Sequence, residues 1–229
     1  MTPTPSSALA TRTITLTAHA LAWLLLAVVF LAAAASTVAA TVLPEAVDWQ
    51  KVFYPASRAV IEGHTPYLDG YYNPPWAALV MSPFAADMQI GRGALFVVSL
   101  AVYAFVGIRL DASPPVLALW LTCPPLLHTL LHGNLEWLVL IGVLMPPRWG
   151  LFMVLIKPQV AGAIAIWWTV EAWRDGGWRA VFSLLWPVTL ALLISLVLFG
   201  LWPLRAAETT ALWWNASLWP WSIPVGLAL

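Results

Sequence analysis

The sequence predicts an all-α, polytopic transmembrane protein whose helices are short and often broken. Of its 229 residues, 62% are hydrophobic and only 9% are charged, whereas soluble domains carry roughly 25% charged residues. The 16 Trp residues fit the aromatic belts of membrane interfaces, and the 19 Pro residues indicate interrupted helices. The formal net charge is zero, so composition gives no basis for binding nucleic acid. We expect one integral membrane domain over residues 1–229.

The first predicted element is a membrane span over residues 18–42, preceded by a polar leader over residues 1–17. The leader holds one charged residue, Arg12, and basic flanks favour the cytoplasm. Small residues over 32–40 resemble a signal-peptidase site, but the apolar stretch exceeds the roughly 7 to 15 residues of a signal peptide core. We therefore expect a retained anchor and a cytoplasmic leader.

The most polar part of the chain is residues 43–75, which we predict to be an external loop. Between Trp49 and Ile61, apolar side chains recur at helical spacing and charged side chains fall between them. That pattern is typical of an amphipathic helix lying on a membrane surface. Gly63 would end this helix, and the Pro- and Gly-rich sequence that follows predicts an irregular turn.

Residues 76–202 contain further apolar segments, several of them shorter than the roughly 20 residues that a straight span needs. We expect a mixture of spans and re-entrant segments there, followed by a Trp-rich interfacial segment over residues 203–229. The apolar segments are 76–86, 94–108, 115–131, 135–145, 149–168 and 180–202.

Basic residues predict how these segments are oriented. Arg92 and Arg148 are each expected at a cytoplasmic turn, and Arg174 and Arg179 are also expected on the cytoplasmic side, because basic residues favour that side of a membrane. These positions conflict if residues 149–168 cross the membrane once. We therefore predict that this segment enters and returns as a hairpin whose tip is Lys157-Pro158.

Lys157 lies in a long uncharged stretch. A Lys at the centre of a bilayer costs roughly 2.5 to 3.5 kcal/mol, so it usually faces a water-filled cavity or an anionic ligand. Pro158 supports a cavity, since broken helices at membrane depth line protein-enclosed spaces. In that case Lys157→Met would not lower stability. Two alternatives remain open: a lysine reaching the headgroups from a helix end, and a structural lysine paired with Glu136 or Glu171.

Other polar residues interrupt the apolar sequence at segment ends, which suggests one shared pocket. Asp48 could act as a general base there, although an ordinary helix N-cap is an equally good interpretation. His128 and His132 have the spacing of two ligands on one helix face, but no third ligand is suitably placed, so we predict no metal site. Cys123 has no partner cysteine in the chain and is read as a packing residue.

Four sequence elements of the polar loop appear in a fixed order: Asp48, then Phe53-Tyr54, then Gly63 to Tyr67, then Tyr72 to Pro75. This order resembles the first external loop of glycosyltransferase family 87, membrane mannosyltransferases of the GT-C class. Later Gly-Asn, Lys-Pro and Asn-x-Ser-Leu steps are also similar to elements of such proteins, although enzymes of this class are considerably longer. In this sequence those steps are Gly133-Asn134, Lys157-Pro158 and Asn215 to Leu218.

The resemblance implies a GT-C-like fold and transfer of a sugar, mannose in such enzymes, from polyprenol phosphate to a lipid or glycan acceptor. Asp48 would be the catalytic base, the sugar would be inverted, and no cofactor is needed beyond the donor substrate. The protein would lie in a bacterial-type plasma membrane with its active side external, among membrane lipids and the lipid-linked donor. The implied substrate-binding residues are Lys157, Arg58, Tyr54, Tyr67, Tyr72, Asn73, His132, Asn134 and Asn215.

Two further interpretations remain open. The short length and Trp-rich sequence favour a non-catalytic membrane subunit that derives from a truncated GT-C fold and binds a partner membrane protein. Broken helices and a buried lysine also suit a small transporter or lipid-binding protein, but the sequence shows none of the internal repeats typical of transporters.

Overall fold

The computed structural model describes residues 27, 30–31, 33–67 and 70–204. Every element in these ranges is helical and no strand occurs in them, which confirms the all-α prediction. Two of the described helices are long and apolar enough to cross a membrane, or three if one bent pair counts as a single span. The predicted leader, residues 205–229 and Asn215 lie outside the described residues.

The described part of the predicted first span is a helix, α1 (Ala33–Val42). The helix predicted from Trp49 to Ile61 is present but not uniform. It begins with a π-helical turn (Trp49–Phe53) and continues as α2 (Tyr54–Ile61). Pro55 lies in the first turn of α2 and has no amide hydrogen to donate to the preceding turn, a usual reason for a break in helical register.

The next apolar segment is too short to cross a membrane. It forms α3 (Pro75–Met81) and a 3₁₀ turn (Ser82–Ala86). Then α4 (Met88–Arg109) begins earlier than the predicted segment 94–108. Asp87 explains that start, because its Oδ1 accepts hydrogen bonds from the backbone N–H groups of Gln89 and Ile90 at 2.9 and 2.8 Å.

The prediction that Arg92 and the polar loop lie on opposite sides of a membrane is wrong. Arg92 Nη1 donates a hydrogen bond to the carbonyl oxygen of Leu43 at 2.8 Å. Trp49 Nε1 likewise donates to the carbonyl oxygen of Met88 at 2.9 Å. The start of α4 and the start of the loop therefore lie at the same end of the molecule. The helical segment between them returns to the end from which it started.

The predicted segment 115–131 is divided into α5 (Pro114–Thr122) and α6 (Pro124–His132), which are bent by 55°. Cys123 stands at the bend in an extended conformation, as expected for a residue that precedes proline. Gly133 then ends α6 with φ of +68°, a left-handed conformation that glycine adopts at little cost.

A compact helical pair follows, α7 (Glu136–Leu144) and α8 (Pro147–Val154). The two helices touch through glycine: a Cβ atom added to Gly150 would lie 2.3 Å from the carbonyl oxygen of Gly142. The two helices are similar in length and are joined by only two residues. The start of α7 and the end of α8 therefore lie close together.

The long helix α9 (Pro158–Phe199) begins at the predicted break after Lys157. Gly176 and Gly177 have non-helical backbone angles and divide it into arms 158–175 and 178–199. Trp168 of the first arm packs in one apolar cluster with Leu184 and Val188 of the second. The arms therefore fold back on each other, and α9 is a helical hairpin.

The cytoplasmic position of Arg148, Arg174 and Arg179 stays a prediction, but the structure places these three residues in one region. Arg174 and Arg179 flank the glycine turn of α9, and Arg148, at the start of α8, donates a hydrogen bond to Ser183 of the second arm. All three lie away from the break at Lys157, at the far ends of their helices. These three basic residues can therefore lie at the same end of the molecule. Arg92 lies elsewhere, beside Leu43.

Candidate functional site

Four polar side chains meet at helix ends: three lie where α6 ends and where α7 and α9 begin, and Asp48 directly precedes the π-helical turn. Lys157 Nζ lies 2.6 Å from Glu136 Oε1 and 2.7 Å from Asn134 Oδ1, and it donates to both. Asn134 Nδ2 donates in turn to Asp48 Oδ2 at 2.7 Å. We call Asp48, Asn134, Glu136 and Lys157 the polar cluster.

Local sequence explains why these residues lie at helix ends. Gly133 stops α6 and releases Asn134, and Glu136 is the first residue of α7. Pro158 starts α9, so Lys157 falls in the gap between α8 and α9. The α7–α8 pair then brings Glu136 and Lys157 together, because it leads the chain away from the cluster and back again.

The cluster fixes the orientation of the Asn134 amide. Its Oδ1 accepts from Lys157 Nζ and also from the backbone N–H of Leu135 at 2.8 Å. The oxygen must therefore face these donors and the NH₂ group must face Asp48, since only the NH₂ group can donate to a carboxylate. Asp48 is half-buried, and among the described residues its Oδ1 atom receives no hydrogen bond. The N-cap interpretation of Asp48 is wrong, because its side chain makes no capping hydrogen bond.

Lys157 is not the lone charge that the sequence suggested. The Lys157 side chain is 7% exposed and pairs with Glu136, which is 21% exposed. The alternative of a structural lysine paired with Glu136 is therefore the one observed. The Oε2 atom of Glu136 is buried and has no hydrogen-bond partner among the described residues. With two carboxylates and one ammonium, the polar cluster carries one net negative charge.

An apolar cavity of about 490 Å³ lies beside the cluster, within the roughly 300 to 1,000 Å³ of small-molecule sites. Ile156 and Pro158, the neighbours of Lys157, belong to its wall, and none of the described residues that line it is charged. Asn73 also lines the cavity; it is 2% exposed, and its Nδ2 atom has no hydrogen-bond partner among the described residues.

Tyr72 connects the cavity with the polar cluster. It lines the cavity, and it also lies within the electrostatic influence of Asp48 and Glu136. Burial raises the pKa of the Tyr72 hydroxyl above its ordinary value, and the two carboxylates add to the rise. A molecule in the cavity that contacts Tyr72 would therefore lie next to the carboxylates.

Tyr67 and Tyr71 belong to the protein core, so the prediction that Tyr67 binds a sugar is not supported by its position. Tyr67 is 9% exposed and stacks on Trp202, with ring centroids 5.6 Å apart. Its hydroxyl donates to the carbonyl oxygen of Asn73 at 3.2 Å. The Tyr71 hydroxyl donates to the Pro74 carbonyl oxygen at 2.9 Å and accepts from the Ala78 N–H at 3.0 Å. Both rings hold the chain in a turn.

Three other predicted residues lie apart from the polar cluster and make no hydrogen bond to it among the described residues. Arg58 pairs with Glu62 on the exposed side of α2, at 2.7 Å. Tyr54 packs its ring edge against Trp49. His132 stacks on the His128 ring, with centroids 4.2 Å apart. The structure thus brings together Asp48, Asn134 and Lys157 from the predicted set and adds Glu136, which the resemblance did not include.

No group of three or more His, Cys, Asp or Glu residues that could hold a metal ion occurs in the described part of the chain. Comparison with protein-family models, with curated proteins and with solved structures finds no match. The resemblance to glycosyltransferase family 87 therefore stays a prediction based on the loop motifs.

Proposed function

We propose that the protein is a membrane glycosyltransferase with a GT-C-like fold and that Asp48 is its catalytic base. One observation carries the proposal: the Asp48 carboxylate is held on one oxygen by an amide of fixed orientation, and its other oxygen is free of hydrogen bonds from the described residues. A base has to be fixed in place and also open to its substrate. The order of the loop motifs around Asp48 is the second support.

In this mechanism the acceptor hydroxyl donates its proton to Asp48 Oδ1 while its oxygen attacks the anomeric carbon of the donor sugar. The bond between that carbon and the phosphate oxygen breaks, and the lipid phosphate leaves with the electron pair. A single displacement of this kind inverts the anomeric carbon. Proton transfer to a positioned base typically contributes about 10² to 10⁴ in rate.

The apolar lining that the described residues give the cavity supports a lipid-borne substrate, since a hydrocarbon chain needs an apolar wall. We place the polar loop on the external side of a bacterial-type plasma membrane, with polyprenol-phosphate mannose as the donor. Lys157 has a different role in this mechanism from the substrate-binding role that the sequence predicted. Two of its three N–H donors bond to Glu136 and Asn134, so we assign it to positioning the amide that holds Asp48.

The test is transfer from a radiolabelled polyprenol-phosphate sugar in membranes that contain the Asp48→Asn variant. We expect at least a ~100-fold loss of transfer, because the amide cannot accept the proton. Asp87→Asn is the matched control, since Asn caps a helix as well as Asp does and α4 should be unaffected. Undiminished transfer by Asp48→Asn would remove Asp48 from the mechanism.

A non-catalytic membrane subunit is the second candidate, favoured by exposed aromatic residues on α9. Trp167, Trp173 and Trp178 are 57%, 57% and 69% exposed, and Trp is enriched at interface hot spots. If wild-type protein transfers no sugar from any polyprenol phosphate, yet co-purifies with one membrane protein in fixed ratio, the subunit is the correct assignment.

A further inference from the structure

The electrostatics of the cavity and the polar cluster select between kinds of lipid. The described residues of the cavity wall are all uncharged, and the adjoining cluster has two carboxylates for one ammonium. Lys157, the only ammonium of the cluster, already donates two of its three N–H groups to Glu136 and Asn134. Tyr72 lines the cavity and lies within the electrostatic influence of Asp48 and Glu136. A lipid whose chain fills the cavity and whose head group contacts Tyr72 would therefore bring that head group to a place of net negative charge.

We propose that the cavity binds a lipid with an uncharged, hydroxyl-bearing head group, and that a lipid phosphate is excluded from this position. The proposal rests on the proposed function in one respect: it assigns the cavity to the acceptor, whose hydroxyl Asp48 would deprotonate. The binding itself does not require that transfer occurs.

Unsatisfied hydrogen-bonding groups at the site agree with this choice. Asn73 Nδ2 is a buried donor without a partner among the described residues, and a neutral ester or ether oxygen would satisfy it at no electrostatic cost. Glu136 Oε2 is a buried acceptor without a partner among the same residues, and a hydroxyl group could donate to it. A phosphate has oxygen acceptors but meets repulsion from Asp48 and Glu136.

Two lipids that differ by a single phosphate group provide the test. Purified full-length protein in nanodiscs is labelled with a monoacylglycerol that carries a diazirine in its chain. Unlabelled 1-oleoylglycerol and 1-oleoyl lysophosphatidic acid then compete for the site. They share the same chain and the free sn-2 hydroxyl, and the sn-3 hydroxyl of the first is a phosphate ester in the second. We expect the uncharged lipid to compete at a concentration ~10-fold lower, because like charges at short range in a buried site repel strongly. Equal competition, or stronger competition by the phosphate, overturns the proposal.

A variant that fills the cavity shows whether the label reports this site. Leu192 lines the cavity, and Leu198 lies on the same helix with its side chain 67% exposed. Leu192→Trp should reduce labelling several-fold, whereas Leu198→Trp should not. An equal effect of both variants contradicts the assignment. If Leu192→Trp does not fold, the labelled peptide of the wild-type protein decides, since it must contain cavity residues such as Trp76 or Trp202.

Removing one negative charge tests the electrostatic part. Glu136→Gln leaves one carboxylate against Lys157, so the preference for the uncharged lipid should narrow by several-fold. Glu62→Gln is the control, because Glu62 pairs with Arg58 on the exposed side of α2. An unchanged preference in Glu136→Gln overturns the charge argument. If the lipid preference holds but no sugar transfer is found, the proposed function fails and the lipid site stands.

Discussion

The polar cluster and the tyrosine turn, defined by Tyr67, Tyr71 and the backbone of Asn73 and Pro74, are both rich in hydrogen bonds but differ in their partners. In the cluster, side chains bond to side chains that are 86, 23 and 21 residues distant in sequence. In the tyrosine turn, hydroxyl groups bond to backbone atoms only 6, 3 and 7 residues away.

The difference distinguishes a candidate site from a structural support. Short-range bonds from a side chain to the backbone fix a local turn, and the protons of both hydroxyl groups are already donated to backbone carbonyl oxygens. The long-range bonds of the cluster leave Asp48 Oδ1 and Glu136 Oε2 without partners among the described residues. Free acceptors next to a cavity suit chemistry, whereas satisfied hydroxyl groups in a core suit stability.

The largest expected effect comes from breaking the cluster. Lys157→Met leaves the Glu136 carboxylate buried without its partner, so we expect the free energy of unfolding to fall by about 3 to 5 kcal/mol. Denaturant unfolding of the purified variant in detergent measures this loss. Lys51→Met is the control, because Lys51 is exposed. A variant as stable as the wild-type protein would restore the first expectation of an uncompensated lysine.

Tyr71→Phe tests the tyrosine turn. The variant loses the hydroxyl that bonds to Pro74 and Ala78, and the buried backbone groups left behind cost about 1 to 3 kcal/mol. Transfer per folded molecule should stay at the wild-type level. Tyr54→Phe serves as the comparison, since the Tyr54 hydroxyl makes no hydrogen bond with a described residue. Lost transfer in a fully folded Tyr71→Phe variant would place the turn in the site.

Alkaline pH should weaken the protein through the same turn. Burial raises the pKa of Tyr67 and of Tyr71 above the ordinary value of 10.0. Above about pH 10 the unfolded chain therefore releases these protons while the folded chain retains them, and stability falls as pH rises. Each such tyrosine contributes ~1.4 kcal/mol per pH unit. Between pH 9 and pH 12, the free energy of unfolding should fall less steeply with pH in Tyr71→Phe than in the wild-type protein. An identical slope in the two proteins would contradict the assignment.

The smallest effect is expected for the exposed ion pair. Arg58 and Glu62, like Lys157 and Glu136, pair a cationic side chain with a glutamate carboxylate. The Arg58 and Glu62 side chains, however, are 39% and 49% exposed. Arg58→Gln should therefore change stability by less than about 1 kcal/mol. A double-mutant cycle with Glu62→Gln isolates the pair. A coupling free energy as large as that of the Lys157–Glu136 pair would show that burial does not explain the difference between the two ion pairs.

Several features of the fold were predictable from the sequence because they depend on neighbouring residues. The low charge and apolar runs predict helices, and proline begins or interrupts them: Pro158 follows the break at Lys157, and Pro124 follows the bend at Cys123. Gly63 and Gly133 end helices at positive φ. Each of these outcomes is fixed by backbone sterics within a few residues.

The tertiary structure decided which polar residues meet and which side chains are buried. The sequence named both Glu136 and Glu171 as partners for Lys157, and only the closing of the α7–α8 pair selects Glu136. It likewise placed Arg92 away from Leu43, although the two are hydrogen-bonded. Hydrophobic periodicity shows which face of a helix is apolar. It does not show where the chain reverses direction, and so it does not show which helices become neighbours. Contacts between residues 86 positions apart, such as Asp48 and Asn134, depend on that path and therefore on packing.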